Sequence, residues 1–202
     1  MIKHYKGILG EFNYDDEEFN IDDFDYLHYI GKGLSVDLPE GCIDTSYMFE
    51  NCVLPEGFTL GNKFNTSNVY NMQGMFEDCV LPEGFTLGNK FNTSNVYNMQ
   101  GMFMDCKLPE GFTLGNNFDT SKVKDMSYMF CGCILPEGFL LGNKFDTNNV
   151  KNMRWMFSGS TIPEGFILRD HFNSYAEDTS FMFNGCKFAK GMTAESLLNG
   201  NK

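Results

Sequence analysis

The sequence predicts an α/β repeat solenoid whose 27-residue coils each supply one short parallel strand and one short helix or 3₁₀ turn. Three observations predict it. One unit recurs in register from about Leu54 to Cys186, an i, i+2 apolar pair follows each Pro-Glu-Gly turn, and an apolar pattern of helical period fills the remainder. Self-similarity at a period of roughly 20 to 50 residues marks stacked architectures, because a unit too small to bury its own apolar face must cover it with its neighbours.

Residues 54–80 read LPEGFTLGNKFNTSNVYNMQGMFEDCV, and residues 81–107 repeat them except at Glu77/Met104 and Val80/Lys107. Residues 108–134 and 135–161 follow in the same register with more divergence, and 162–187 is one residue short. Residues 38–53, LPEGCIDTSYMFENCV, keep both ends of the unit without its middle, as an entry repeat would. The chain thus divides into an acidic N-terminal cap (1–37), the repeats (38–187) and a C-terminal cap (188–202).

Within the unit, Phe58 and Leu60 begin two apolar columns that recur as Phe85 and Leu87, Phe112 and Leu114, Phe139 and Leu141, and Phe166 and Leu168. Spacing of two after a turn predicts a strand with alternate side chains inward. Val69, Met72, Met75, Phe76 and Cys79 then lie on one face at helical period, with Thr66 or Ser67 placed to cap it and Gly74 and Gly101 weakening it. Phe12, Tyr14, Phe19, Phe24, Tyr26 and Tyr29 equip the N-terminal cap with apolar surface, and TAESLLN at 193–199 predicts a closing helical turn.

Charge and chemistry narrow the function. The formal net charge is −12, and residues 1–37 carry nine acidic residues against three lysines, which argues against nucleic-acid binding. No apolar run approaches the ~20 residues of a membrane-spanning helix, and no export signal is visible at the N-terminus. Five of seven cysteines (Cys52, Cys79, Cys106, Cys133, Cys186) share one repeat position broken by Ser160, with no CxxC pair, so they read as core thiols of a reducing compartment and not as zinc ligands. Glu40, Glu56, Glu83, Glu110, Glu137 and Glu164 form a column of like charge on the turn. It reads as a solvated turn before a cation edge. Asn62, Asn89, Asn116 and Asn143 read as an inter-coil amide ladder. His4, His28 and His171 are isolated, and identical repeated residues make many equivalent places in preference to one catalytic constellation. The expectation is therefore no enzyme, no cofactor and no resident metal.

The segments TSNVYNMQGMF (66–76 and 93–103), TSKVKDMSYMF (120–130) and TNNVKNMRWMF (147–157), each followed after two residues by Cys or Ser, resemble the repeat of the bacterial BspA-like leucine-rich repeat proteins. The resemblance covers residues 44–187. It implies a leucine-rich-repeat-like solenoid and a cell-surface protein that attaches to host components or other cells. The chain departs from the pattern by its Pro-Glu-Gly insertion and by showing no surface anchor, which by sequence reads as cytoplasmic.

Departures from repetition point to binding. The residue before Met-Phe reads Tyr47, Gly74, Gly101, Tyr128, Trp155 and Phe181, with Arg154 beside the single tryptophan. Tyr70, Tyr97, Tyr128, Arg154 and Trp155 are the candidate contact residues, since Trp, Tyr and Arg dominate interfaces. The expected function is a protein-binding, adhesion-type module, with a glycan a less favoured partner. A structural element that self-associates through its open ends is the alternative.

Overall fold

A computed structural model of the chain describes residues 3–7, 10–14, 27–30, 33–168, 172 and 176–199, with 3–7, 10–14, 27–30, 33, 34 and 199 described as backbone alone. The aromatic side chains expected to cover the N-terminal end lie outside the described residues. In that region β1 (Lys3–Gly7) pairs antiparallel with β2 (Gly10–Tyr14), and β3 (Leu27–Ile30) with β4 (Gly33–Val36). β4 then runs parallel to β5 (Thr59–Leu60), which ties the antiparallel hairpin to the first full unit. At the other end β6 (Thr161–Ile162) lies parallel to β7 (Lys187–Phe188), followed by α1 (Ala194–Asn199). Thr193 caps α1, its hydroxyl accepting from Ser196 N–H at 3.1 Å while the Ser196 hydroxyl accepts from Thr193 N–H at 3.0 Å.

Between these ends, successive units lie parallel along two ladders of bridges. One joins Asp44, Asn71, Asn98, Asp125, Asn152 and Asp178, and the other joins Val53, Val80, Lys107, Ile134 and Thr161. Only the first full unit pairs at its Phe-x-Leu segment, where β4 supplies a partner and Gly61 N–H bonds Val36 O at 2.7 Å. In the next three units the glycine after Leu (Gly88, Gly115 and Gly142) takes a left-handed backbone at φ 74–84°, and the extended run stops there.

The expected helical segment is a succession of turns. Alternate amides leave the coil: Met72, Gly74, Phe76 and Asp78 N–H donate to Asn98, Gln100, Met102 and Met104 O at 2.8–2.9 Å. Those between them, Met75, Glu77 and Cys79, close turns onto Met72, Gly74 and Phe76 O at 3.1–3.3 Å. An α-helix sends its amides to its own preceding turn and has none to give a neighbour. Turns instead stitch each coil to the next, and they keep the inward spacing that imitates a helical face.

The inward side chains form stacks. Phe49, Phe76, Phe103, Phe130, Phe157 and Phe183 follow one another with centroids 5.2–5.6 Å apart. Phe58, Phe85, Phe112, Phe139 and Phe166 make a second column at 6.3 Å, and Phe64, Phe91 and Phe118 a third at 6.4–6.5 Å. The first two columns meet edge to face, as at Phe103 and Phe112, 5.9 Å and 69° apart. Buried methionines such as Met75, Met102 and Met129 fill the remaining volume.

Three polar columns link the coils. Thr66, expected to cap a helix, is fully buried with Thr93 and Thr120; each hydroxyl donates to the next coil's Asn92, Asp119 or Asp146 O and accepts that residue's N–H, at 2.6–2.8 Å. The positions expected to carry the amide ladder, Asn62, Asn89, Asn116 and Asn143, fall on exposed turns. Inter-coil amide bonds are found along the first bridge ladder, where Asn71 Nδ2 donates to Asp44 Oδ2 at 3.1 Å and Asn152 Nδ2 to Asp125 Oδ2 at 3.0 Å. The cysteines complete the set: Cys79, Cys106 and Cys133 Sγ donate to Phe49, Phe76 and Phe103 O, and Ser160 Oγ donates to Phe130 O in the same way. A hydroxyl serves this position as well as a thiol does, which accounts for the break in the column.

Candidate interaction face

Each coil turns one segment outward between its two bridge ladders. In the second coil Met72, Met75, Phe76 and Cys79 point in, while Gln73, Glu77 and Asp78 lie at the surface. Two residues in this segment take left-handed backbone. The first falls at Tyr47, Gly74, Gly101, Tyr128, Trp155 and Phe181, with φ between 56° and 60°, and the second four residues later at Asn51, Asp78, Asp105, Gly132, Gly159 and Gly185. Gly, Asn and Asp enter this region easily, whereas a bulky side chain there costs about 1–2 kcal/mol. Four coils nevertheless place an aromatic residue at the first position.

Three of them, Tyr128, Trp155 and Phe181, gather at the C-terminal half, while Tyr47 stands in the first coil. Tyr128 and Trp155 stack at 6.3 Å and 2°, and Trp155 and Phe181 at 4.7 Å and 23°. The Arg154 guanidinium lies 6.0 Å from the Trp155 ring and 5.7 Å from Phe181, within cation–π range. Phe181 is 53% exposed. Trp155 Nε1 is buried without a hydrogen-bond partner, the one such side-chain atom among the described residues. Of the candidate contact residues, Tyr128, Arg154 and Trp155 therefore come together, joined by Phe181. Tyr70 and Tyr97 do not join them. They are exposed at the near edge of the face in the second and third coils, stacked by a 2.8 Å bond from Tyr97 N–H to Tyr70 O. Phe181 shares the repeat position of Trp155, and that register was the signal for it.

In the second and third coils the same positions are small and acidic, Gly74 with Asp78 and Gly101 with Asp105. Gly74 lies beneath Tyr47, whose ring atoms stand 2.5 Å from where a Cβ on Gly74 would sit, whereas a Cβ on Gly101 meets nothing nearer than 3.6 Å. Gly101→Ala is expected to lose about 1 kcal/mol from the left-handed backbone alone, and Gly74→Ala clearly more, because Tyr47 must move as well. Urea denaturation of both variants checks this; equal losses would refute the packing of Tyr47 over Gly74.

Beside these glycines stand Glu50, Glu77, Asp78 and Asp105. Partial burial, and then repulsion from Glu50, Asp78 and Asp105, pushes the Glu77 carboxyl above the usual range, and burial with Asp78 does the same to Asp105. A raised folded-state value means that the folded chain holds this proton more tightly than the unfolded one, so stability falls as pH rises through that window. Glu77→Gln should therefore be more stable than the parent at pH 7, by less than about 1 kcal/mol because the site is open to screening solvent, and the gain should vanish below the ordinary carboxylate range. Melting temperatures against pH test it, and a gain that persists at low pH would refute it.

Burial pushes Cys106 up to about 12 and Cys186 to about 11, so both stay protonated at neutral pH, and all seven cysteines are free. The Glu40 to Glu164 column is exposed at its turns. Among the described residues no cluster of His, Cys, Asp and Glu has the form of a metal site, and no helix is long and apolar enough to cross a membrane.

Two ladders of bridges at the repeat interval, with one outward segment per coil, define a repeat protein. The model of a family described as Mycoplasma protein of unknown function, DUF285, matches residues 43–161 and 109–193, and the chain belongs to that family. No match to a curated protein or to a solved structure was found.

Proposed function

We propose that this chain is a leucine-rich-repeat-like solenoid of BspA-like type acting as a non-enzymatic protein-binding module, with Tyr128, Arg154, Trp155 and Phe181 at its contact surface. One observation carries the reading. Tyr128, Trp155 and Phe181 occupy left-handed backbone at φ 58–59°, where equivalent coils use Gly74 and Gly101. Relief was available by a single substitution to glycine, and these coils do not take it. The unpartnered Trp155 indole N–H adds a second local penalty, of about 1–3 kcal/mol for a buried donor. Strain retained at an exposed site points to use of that site. The non-enzymatic part of the reading is supported by the equivalence of the repeated residues, which makes many like places in preference to one catalytic constellation.

A photo-cross-linking residue placed at Phe181 in the native cells tests the module. Protein adducts are expected there and not with the same residue at Glu110 on the exposed turn. Equal labelling at both places, or none at Phe181, overturns the reading.

A further inference from the structure

The entry unit is incomplete, and the gap it leaves is a cavity. Cys42 follows Gly41 directly, where the second coil places residues 58–68 between Gly57 and Val69, so eleven residues of one coil are missing. β4 takes over the first part of that stretch, since Ser35 pairs with Thr59 and Gly61 N–H donates to Val36 O at 2.7 Å. Asp37 extends the cover by one step, its Oδ1 accepting Lys63 N–H at 3.0 Å. Beyond it opens a notch of about 710 Å³, the size of a small-molecule site, walled by Glu40 and Cys42 of the entry unit and by Asn62, Lys63, Asn68 and Lys90 of the second and third coils.

Two features give the notch its chemistry. The first is cationic. Residues 38–105 hold eight acidic residues and two lysines, and both lysines are here. They share one repeat position and so stand in adjacent coils, ~4.8 Å apart along the stack. Among the described residues neither ammonium has an ion-pair partner. Of the two carboxylates at the notch, Asp37 is engaged by the Lys63 backbone and Glu40 stands on an exposed turn. Like charges stacked in this way repel, and an anion between them removes the repulsion. The second feature is a donor. Asn68 heads a column whose later asparagines reach back to the preceding coil, Asn95 Nδ2 to Ser67 O at 2.8 Å and Asn149 Nδ2 to Ser121 O at 2.7 Å. The carbonyl that Asn68 would need belongs to the missing stretch, so its amide is left at the notch.

We propose that this notch binds an anionic ligand of small-molecule size, with a carboxylate or phosphate between Lys63 and Lys90 and a further oxygen accepting from Asn68 Nδ2. None of these residues belongs to the aromatic face, and the site stands whether or not that face binds a protein. The anionic oxygens come either on a free small molecule or on the acidic side chains of a peptide.

Isothermal titration calorimetry of the full chain, in low-salt buffer without other carboxylates or phosphate, separates the two sources. Citrate, inorganic phosphate and the blocked peptide acetyl-Glu-Glu-Glu-amide are the probes. At least one is expected to bind saturably and one to one, with Kd below about 1 mM. Tighter binding of citrate or phosphate assigns a free anion, and tighter binding of the peptide assigns an acidic chain. Lys63→Gln with Lys90→Gln should weaken binding by about tenfold or more, as should Asn68→Asp, which sets a carboxylate where the donor was. Lys144→Gln, at the same repeat position but behind a complete coil, should leave it unchanged. If the double variant fails to fold by circular dichroism, acetylation of the unaltered protein replaces it, with the bound probe expected to protect Lys63 and Lys90 and not Lys144. The site is overturned if no probe binds saturably, if binding survives the loss of both lysines, if Lys144→Gln weakens it equally, or if Lys63 and Lys90 gain no protection.

Discussion

Replacing Phe130 by alanine is expected to remove about 3–5 kcal/mol of unfolding free energy, the upper range for a truncated core residue. Phe130 is fully buried, stacked 5.6 Å from Phe103 and 5.5 Å from Phe157, with the Phe139 ring edge-on at 5.9 Å. Each aromatic contact adds about 0.5–1.5 kcal/mol beyond area, and the cavity left would be walled by rings held by their own neighbours. Its position matters as much as its volume. In a stack where every coil touches only the next, a weak central interface uncouples the two halves. Guanidinium unfolding should therefore lose both its midpoint and its steepness, whereas Phe183→Ala, at the partly exposed end of the column, should lose less of each. Equal losses at the two positions would refute this account of the column.

Thr120→Val is expected to be nearly as damaging, at about 2–4 kcal/mol, although the two side chains have almost the same shape. The Thr120 hydroxyl donates to Asp146 O at 2.7 Å and accepts Asp146 N–H at 2.6 Å, and the residue is wholly buried. Valine keeps the volume and leaves a carbonyl and an amide unsatisfied between two coils, each worth about 1–3 kcal/mol. Thr113→Val, on the exposed strip of the same coil, serves as the control and should be near neutral. A Thr120→Val variant as stable as that control would show that the threonine column holds nothing together.

The register of the units is legible in the sequence because whole phrases repeat, and bridges such as Asn71–Asn98 and Val80–Lys107 link residues 27 apart. The local backbone is not. Met72, Met75, Phe76 and Cys79 carry a helical signature, yet consecutive turns that face the same way place inward residues at the same intervals. What separates the two is the destination of the amide protons, which no side-chain pattern records. The threonine column is misread for a related reason. A hydroxyl before an apolar run looks like a helix cap until the next coil is present to receive it. On the candidate face the aromatic departures stand out, and Phe181 shares their position, but Trp155 carries no mark of its left-handed backbone. Gly74 and Gly101, at the same register, are the only hint of it in the sequence. The separation of Tyr70 and Tyr97 from the stack required the direction of each side chain.

The Phe49 to Phe183 column is indifferent to its own length. Each ring presents one side to the coil before and the other to the coil after, so every interior unit is both socket and plug. The near-identity of residues 54–80 and 81–107 shows how little distinguishes adjoining members. A gene encoding such a chain can gain or lose a whole unit by slippage between its near-copies, and the product still closes without a new core. What changes is spacing: the aromatic half moves by one coil, ~4.8 Å, relative to the acidic half. The distance between the two halves is therefore adjusted as on a vernier, in whole steps, with the scale left unaltered.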